Sequence, residues 1–328
     1  MRVRDVAQRV LPWVVSVGVC VALLWPFRDE GGRAVLASAV GRASPWTFPI
    51  IVLSAAAAWI TDSWTTTVTF RRFGTDISFR EACLTRGATY LFDAITPVLG
   101  QAALGVMMFR RGTPLARTVQ VILLMTVVFM IQLVAVAGLG LLLGQSEVSN
   151  LSGRVVMLTL LGAGVYLVLV AVKPPFVARR RAFAQLFEIG VGGHAFAFAA
   201  RTPNMVAMFA GQMATLYCFG IAVPFAPLLV YIPAIVVVTG APISVQGIGP
   251  AQLAQVAFFA GHVGGDPRVA EATVIAWGLT TTVGHALVWF LIGVGCAFTR
   301  TGRTLFAATK SVLRERAQLA AIAAPESE

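Results

Sequence analysis

The chain has 328 residues, 58% of them hydrophobic and only 12% charged, with a mean hydropathy of +0.82. A soluble domain of this size cannot bury so much apolar surface, which excludes a soluble enzyme and predicts an all-α polytopic membrane protein. The net charge of +11 is then explained by basic loops facing anionic lipid at the cytoplasmic face, and no nucleic-acid partner is expected.

Taken in order, the first apolar run is 11–27. Its flank, Arg28-Asp-Glu, lacks a small-residue cleavage site, so an uncleaved first helix is expected rather than a signal peptide. Six spanning helices are predicted at about 10–27, 46–70, 114–143, 154–174, 203–224 and 270–298. The four cysteines, Cys20, Cys83, Cys218 and Cys296, form no CxxC or CxxH spacing and read as small packing residues.

Two hydrophobic stretches are interrupted. The first, 94–106, contains Pro97-Val-Leu-Gly100-Gln101. The second, 241–255, contains Pro242, Ser244, Gln246, Gly247, Gly249, Pro250, Gln252 and Gln255. The apolar arms beside the second break are shorter than the roughly 20 residues a spanning helix needs. Broken helix at membrane depth is tolerated where protein or a water-filled cavity covers the exposed backbone. Both stretches are therefore predicted as re-entrant helical hairpins, and both fit Gly-x-Ala-x-Leu-small.

Basic residues set the orientation. With the N-terminus in the cytoplasm, twenty lysines and arginines fall on the inside, and only Arg28, Arg33, Arg42, Arg154 and Arg268 on the outside. The positive-inside rule then places both termini in the cytoplasm. It also makes the first hairpin enter from the cytoplasmic side and the second from the outside. The chain divides into a repeat A of about 1–150 and a repeat B of about 151–299 in inverted topology, an architecture associated with alternating access. A basic cytoplasmic tail, 300–328, follows. The segment 176–200, with Arg179-Arg-Arg181 among aromatic residues, reads either as an interfacial helix or as an ordinary basic loop.

Ionisable groups at membrane depth are costly and functional by default. They are Asp62, Asp93 and His285. Asp62 and Asp93 are candidates for proton or cation coupling, with capping by nearby hydroxyls and free N–H groups as the structural alternative. His285 reads as a hydrogen-bonded packing residue. Gln101, Gln246 and Gln252 surround the breaks, where neutral amides bond freed backbone or a headgroup without the full desolvation cost of a charge. Helix starts near Gly100 and Gly249 present positive dipole ends suited to an anion. Arg110, Arg111 and Arg201 are candidate phosphate contacts at the cytoplasmic mouth, with snorkelling as the plainer reading. There is no Walker lysine, HExxH, GxSxG or paired-acid signature. Neither catalysis, a metal site nor a cofactor is expected.

The second break, Pro242-Ile-Ser-Val-Gln246-Gly247-Ile-Gly249-Pro-Ala-Gln252, resembles the Pro-Ile-Ser-Ile-Gly-Gly-Leu-Gly-x-x-Glu signature of the flippase-like transmembrane domain of lysylphosphatidylglycerol synthases. The first, Pro97-Val-Leu-Gly100-Gln101 with Arg110-Arg111-Gly112, resembles that family's Pro-x-x-Leu-Gly-Glu and basic pair. The resemblance covers about 45–298. It implies a stand-alone member without the appended synthase domain. The implied function is a lipid translocator of the bacterial cytoplasmic (inner) membrane, moving a phospholipid or isoprenoid-lipid headgroup between the hairpins. The alternative is a non-transporting protein that presents lipid to a separate enzyme; a homo-oligomer or a lipid-synthase partner fits either. Gln101 and Gln252 stand where the family carries acids, so carboxylate coupling at those positions is not carried over. The Glu-Arg pair of the following span has no counterpart around 125–132.

Overall fold

The computed structural model describes residues 3–93, 97–144, 150–174, 181–240, 247–304 and 307. All regular elements among them are helical. They run α1 (Val3–Leu24), α2 (Glu30–Gly41), α3 (Thr47–Phe73), α4 (Phe79–Asp93), α5 (Pro97–Arg110), α6 (Leu115–Leu143), α7 (Asn150–Val172), α8 (Arg181–Cys218), α9 (Phe225–Gly240), α10 (Pro250–Phe259) and α11 (Pro267–Ala297).

Three of these helices, α3, α6 and α11, are long and apolar enough to cross a membrane. They match the second, third and sixth predicted spans. Shorter apolar helices, Trp13–Phe27 and Met157–Val172, lie where the first and fourth spans were expected. Four consecutive-pair helices are too short to cross: α4 and α5 have 15 and 14 residues, α9 and α10 have 16 and 10. At 1.5 Å per residue the longest reaches about 24 Å, against a hydrocarbon core of about 30 Å. Both pairs break where the sequence placed interruptions, and α5 and α10 each start on a proline, whose missing N–H suits the first helical position. Residues 94–96 and 241–246 lie outside the described residues, as does the tail beyond 304 apart from residue 307.

The fifth predicted span needs correction. The expected boundary at 203 does not exist: α8 runs from Arg181 to Cys218, broken only at Gly190 (φ 67°, ψ 179°). The expected segment 176–200 falls partly outside the described residues; its described part is helical from Arg181, breaks at Gly190 and continues into the span. Leu186, Phe187, His194 and Ala197 are buried, while Val191, Phe196 and Phe198 are exposed, so the segment has one face packed inward and one facing out. The helix stops at Cys218 because Gly220 turns at φ 68°, and Pro224 precedes the start of α9. One helix was missed: α2 begins at Asp29, whose carboxylate accepts the Gly32 N–H at 3.0 Å. Arg268 ties that corner to the start of α11 through Asp29 Oδ1 at 2.8 Å.

Packing is crosswise. α3 lies along α8, α4 against α11, and α9 against α6. Glycines let these backbones approach, as small residues do between membrane helices. Gly87 meets Cys296, and a Cβ on Gly293 would stand 2.8 Å from Leu91 Cγ. One on Gly140 would stand 2.8 Å from the Ala226 carbonyl, and one on Gly211 2.5 Å from Ser54 Cβ. Among the described residues four apolar clusters result, two of them large. One gathers Phe70, Leu104, Met107, Met108 and Val121 around α4 and α5. The other gathers Leu229, Tyr231, Phe259 and Trp277 around α9 and α10.

Candidate functional site

Between α3, α4 and α8 the helices hold a buried ionic cluster. Asp62 of α3 and Arg86 of α4 form an ion pair with side chains 10% and 7% exposed. Both Nε and Nη2 of Arg86 donate to Asp62 Oδ2. Arg201 of α8 approaches the other oxygen, Nη1 to Oδ1, at 3.8 Å with its side chain 13% exposed. That exceeds hydrogen-bond range. Its guanidinium lies 4.3 Å from the ring centre of Phe129 on α6, a favourable cation–π arrangement.

The walls are built by side chains bonded to backbone. Asn204 Nδ2 donates to the Ala58 carbonyl at 3.1 Å and to Thr61 Oγ1 at 3.2 Å. Thr65 Oγ1 donates to the carbonyls of Thr61 and, across the interface, Ala200. Gln132 of α6 donates to the Phe198 carbonyl at 2.8 Å. Several buried polar atoms have no hydrogen-bond partner among the described residues: Arg86 Nη1, Arg201 Nε, Gln132 Oε1 and the hydroxyls of Ser63, Thr66, Thr69 and Thr85. Buried polar atoms are normally satisfied, so such a concentration calls for an explanation. Thr66 and Thr69 follow Asp62 at four and seven residues, on the same helix face.

Asp93 stands two turns beyond Arg86 on α4. Its carboxylate lies over Gly100 in the first turn of α5, where a Cβ would collide with it. That turn carries the positive end of the helix dipole. The first break thus brings Asp93 and Gly100 together, with Gln101 next to Gly100 and partly exposed. Pro97 opens α5.

At the second break, Gly247 and Gly249 take φ of 72° and 94°, backbone that favours glycine. Gly249 touches α1: a Cβ there would lie 2.9 Å from the Ser16 carbonyl and 3.0 Å from Val19 Cβ. Gln252, 1% exposed, accepts the Gly249 N–H at 2.6 Å and donates to Thr282 Oγ1 at 3.1 Å. Its amide is occupied in capping α10 and tying it to α11. A headgroup-binding role for Gln252 is therefore less well served by the geometry than a structural one. Pro242, Ser244 and Gln246 lie outside the described residues. The shared Gly-x-Ala-x-Leu-small pattern marks both helix starts but not equivalent faces, since Leu104 is fully buried and Leu253 is 52% exposed.

The three expected mouth arginines do not gather. Arg201 is in the buried cluster, not at a mouth with Arg110 and Arg111. Arg111 Nη1 pairs with Glu81 Oε2 at 2.9 Å, joining the start of α4 to the segment after α5. Arg110 is exposed at the end of α5. His285 packs as expected, with Nδ1 2.8 Å from the Thr281 carbonyl and Nε2 2.9 Å from Ser54 Oγ. His194 Nδ1 donates to the Gly190 carbonyl at 2.8 Å, which leaves Nε2 to accept from the Tyr166 hydroxyl at 2.8 Å. Arg86 is one of the twenty inside charges counted in the sequence, and its 24-residue spacing to Asp62 carries no helical periodicity to flag it.

Helices long enough to cross a bilayer, around a buried set of ionised side chains, define a polytopic helical membrane protein. The family model for the lysylphosphatidylglycerol synthase TM region matches residues 13–288, and the chain belongs to that family. A search of curated proteins returns no match.

Proposed function

We propose that the chain is a lipid translocator of the cytoplasmic membrane, with both termini in the cytoplasm and a lipid headgroup passing through the polar interior while its chains stay in the bilayer. The observation that carries this reading is the crosswise packing. Pairing α3 with α8, α4 with α9, α5 with α10 and α6 with α11 maps the contacts onto themselves: α4–α11 exchanges with α9–α6, and α3–α8 maps to itself. Two repeats that exchange their short-helix pairs pack this way; the basic-residue bias supplies the inversion, and inverted repeats are an architecture associated with alternating access. The two short-helix pairs and the Glu81–Arg111 clamp, which holds both ends of the first pair together, support the hairpin reading. Removing Arg86 and Arg201 from the loop count leaves the positive-inside bias in place.

No catalytic role is assigned. The test is reconstitution in vesicles containing a fluorescent phosphatidylglycerol and bleaching with membrane-impermeant dithionite. A translocator raises the bleached fraction above the outer-leaflet half of protein-free vesicles; an unchanged fraction rejects it.

A second reading, a lipid-presenting protein, is favoured by one feature. A groove of about 420 Å³ runs along α1 past Trp13, Val17, Val21 and Trp25 to Arg28, touching the second break only at Ile248. Its apolar walls suit an acyl chain and its basic end a phosphate. A protein that only presents lipid binds it without bleaching the inner leaflet.

A further inference from the structure

The buried polar groups of α3 form a seam that is stopped at one end by a separate piece of α8. Thr66, Thr69 and Phe73 follow Asp62 at four, seven and eleven residues, so they share its helix face. Both threonine hydroxyls are buried and without a partner among the described residues. The seam runs from the ionic cluster towards the arginine-bearing end of α3, Arg71-Arg72, and ends at Phe73. There α8 covers it. The Phe73 ring meets Phe196 edge-on at 5.8 Å, and a Cβ on Gly193 would stand 3.2 Å from Phe73 Cζ. Leu186 and Ile189 join Phe73 in an apolar cluster with Leu124 and Val128 of α6 and with Ala197. Along α6 these two residues come before Phe129 and Gln132, which meet α8 at Arg201 and Phe198. The cluster around Leu186 therefore lies between the ionic groups and the end of the bundle where α3 finishes and α6 starts.

The covering turn is not continuous with the rest of α8. Between them Gly190 takes φ 67° and ψ 179°, a conformation that essentially only glycine adopts. The break is tied to α7: His194 Nδ1 donates to the Gly190 carbonyl, and Nε2 accepts from the Tyr166 hydroxyl, both at 2.8 Å. One small residue that absorbs the backbone change is a common way to hang a moving cover on a rigid helix.

We propose that the turn before Gly190, carrying Leu186 and Ile189, is a hinged lid over the polar interior, with Gly190 as its hinge and Tyr166 and His194 as its latch. Rotation at Gly190 withdraws Leu186 and Ile189 from Phe73 and opens the Thr69, Thr66 and Asp62 face to water. The lid gates the interior on which the translocation reading rests. Its test reads water access in micelles and not flipping, so either idea fails without the other.

The reporter is Thr69→Cys in a background whose Cys20, Cys83, Cys218 and Cys296 are replaced by alanine. Labelling by a charged, water-soluble thiosulfonate is timed in detergent, with exposed Arg110→Cys as the standard. Thr69→Cys should label far more slowly than the standard, at a rate that scales with lid opening. Leu186→Ala should raise that rate at least about ten-fold. Gly190→Ala should raise it about five-fold or more, and Tyr166→Phe, which removes one hydrogen bond, about two- to ten-fold. Phe259→Leu, a core change at the far pair of short helices, should leave it within about two-fold. Helicity and monodispersity report folding separately, and Tyr166→Phe, which removes a single oxygen, carries the test should Gly190→Ala not fold. Labelling of Thr69→Cys as fast as the standard, a rate unmoved by both Leu186→Ala and Tyr166→Phe, or an equal rise in Phe259→Leu overturns the lid.

Discussion

Arg86 donates through two nitrogens to one oxygen of Asp62, 24 residues earlier in the chain and on a different helix. Removing the carboxylate alone leaves two buried guanidiniums without the one acid that contacts them both. Breaking a buried pair in this way costs about 3–5 kcal/mol, whereas replacing both partners with matched neutral groups is often near neutral. Asp62→Asn should therefore lower the thermal unfolding temperature in detergent sharply. Adding Arg86→Gln should recover most of that loss, a coupling that a double-mutant cycle reads directly.

The second break offers a separation of strain from crowding. Gly249 and Gly265 have nearly the same φ, 94° and 97°. A Cβ on Gly265 meets nothing within 4 Å, while one on Gly249 meets α1 at Ser16 and Val19. Gly265→Ala should cost about 1–3 kcal/mol, the cost of unfavourable backbone alone. Gly249→Ala should cost more and should also loosen α1, seen as faster amide exchange around Ser16. Equal losses would show that α1 yields to the methyl group freely.

The breaks themselves were legible because prolines and glycines inside apolar runs violate the length a crossing helix needs. The two strongest interior features were not. Arg86 and Arg201 look like loop charges in a chain whose basic residues otherwise mark membrane edges, and only the folding of α3, α4 and α8 together reveals their partner. The Phe-rich segment before Arg201 was only half legible: its mixture of arginine and aromatic residues suits a membrane surface, and Phe196 and Phe198 are exposed, yet Leu186, Phe187 and His194 turn inward against neighbouring helices. α2 was missed because it is short and carries Gly31-Gly32 in its first turn, although Asp29 and Glu30 at its start are ordinary helix-opening signals. Gln252 was rightly singled out as unusual, but sequence cannot tell an amide that greets a ligand from one that caps a helix.

That last distinction is measurable. Gln252 joins the Gly249 N–H to Thr282, so Gln252→Leu removes two buried bonds and orphans the Gly249 donor. A loss of about 2 kcal/mol is expected. Thr282→Val removes only the 3.1 Å bond and should cost about half as much. If Gln252→Leu unfolds at the wild-type temperature and changes only lipid handling, the cap is dispensable and the ligand role returns.

The clamp at the base of the first short-helix pair gives a pH signature. Arg111 and the Ser78 N–H hold the Glu81 carboxyl down at about 2, below its ordinary 4.5. Because the folded value is the lower one, the clamp contributes fully above the unfolded value and weakens as pH falls from about 4.5 towards 2. Glu81 is well exposed, so the effect on global stability is small and the local readout is the informative one. Amide exchange at the starts of α4 and of the 111–114 turn should rise over that interval relative to α6. Glu81→Gln should show the raised exchange at neutral pH already, with no further acid step. A wild-type protein whose exchange ratio stays flat down to pH 3 would mean that the two ends are held by packing alone, since a carboxylate clamp must yield when its charge is neutralised.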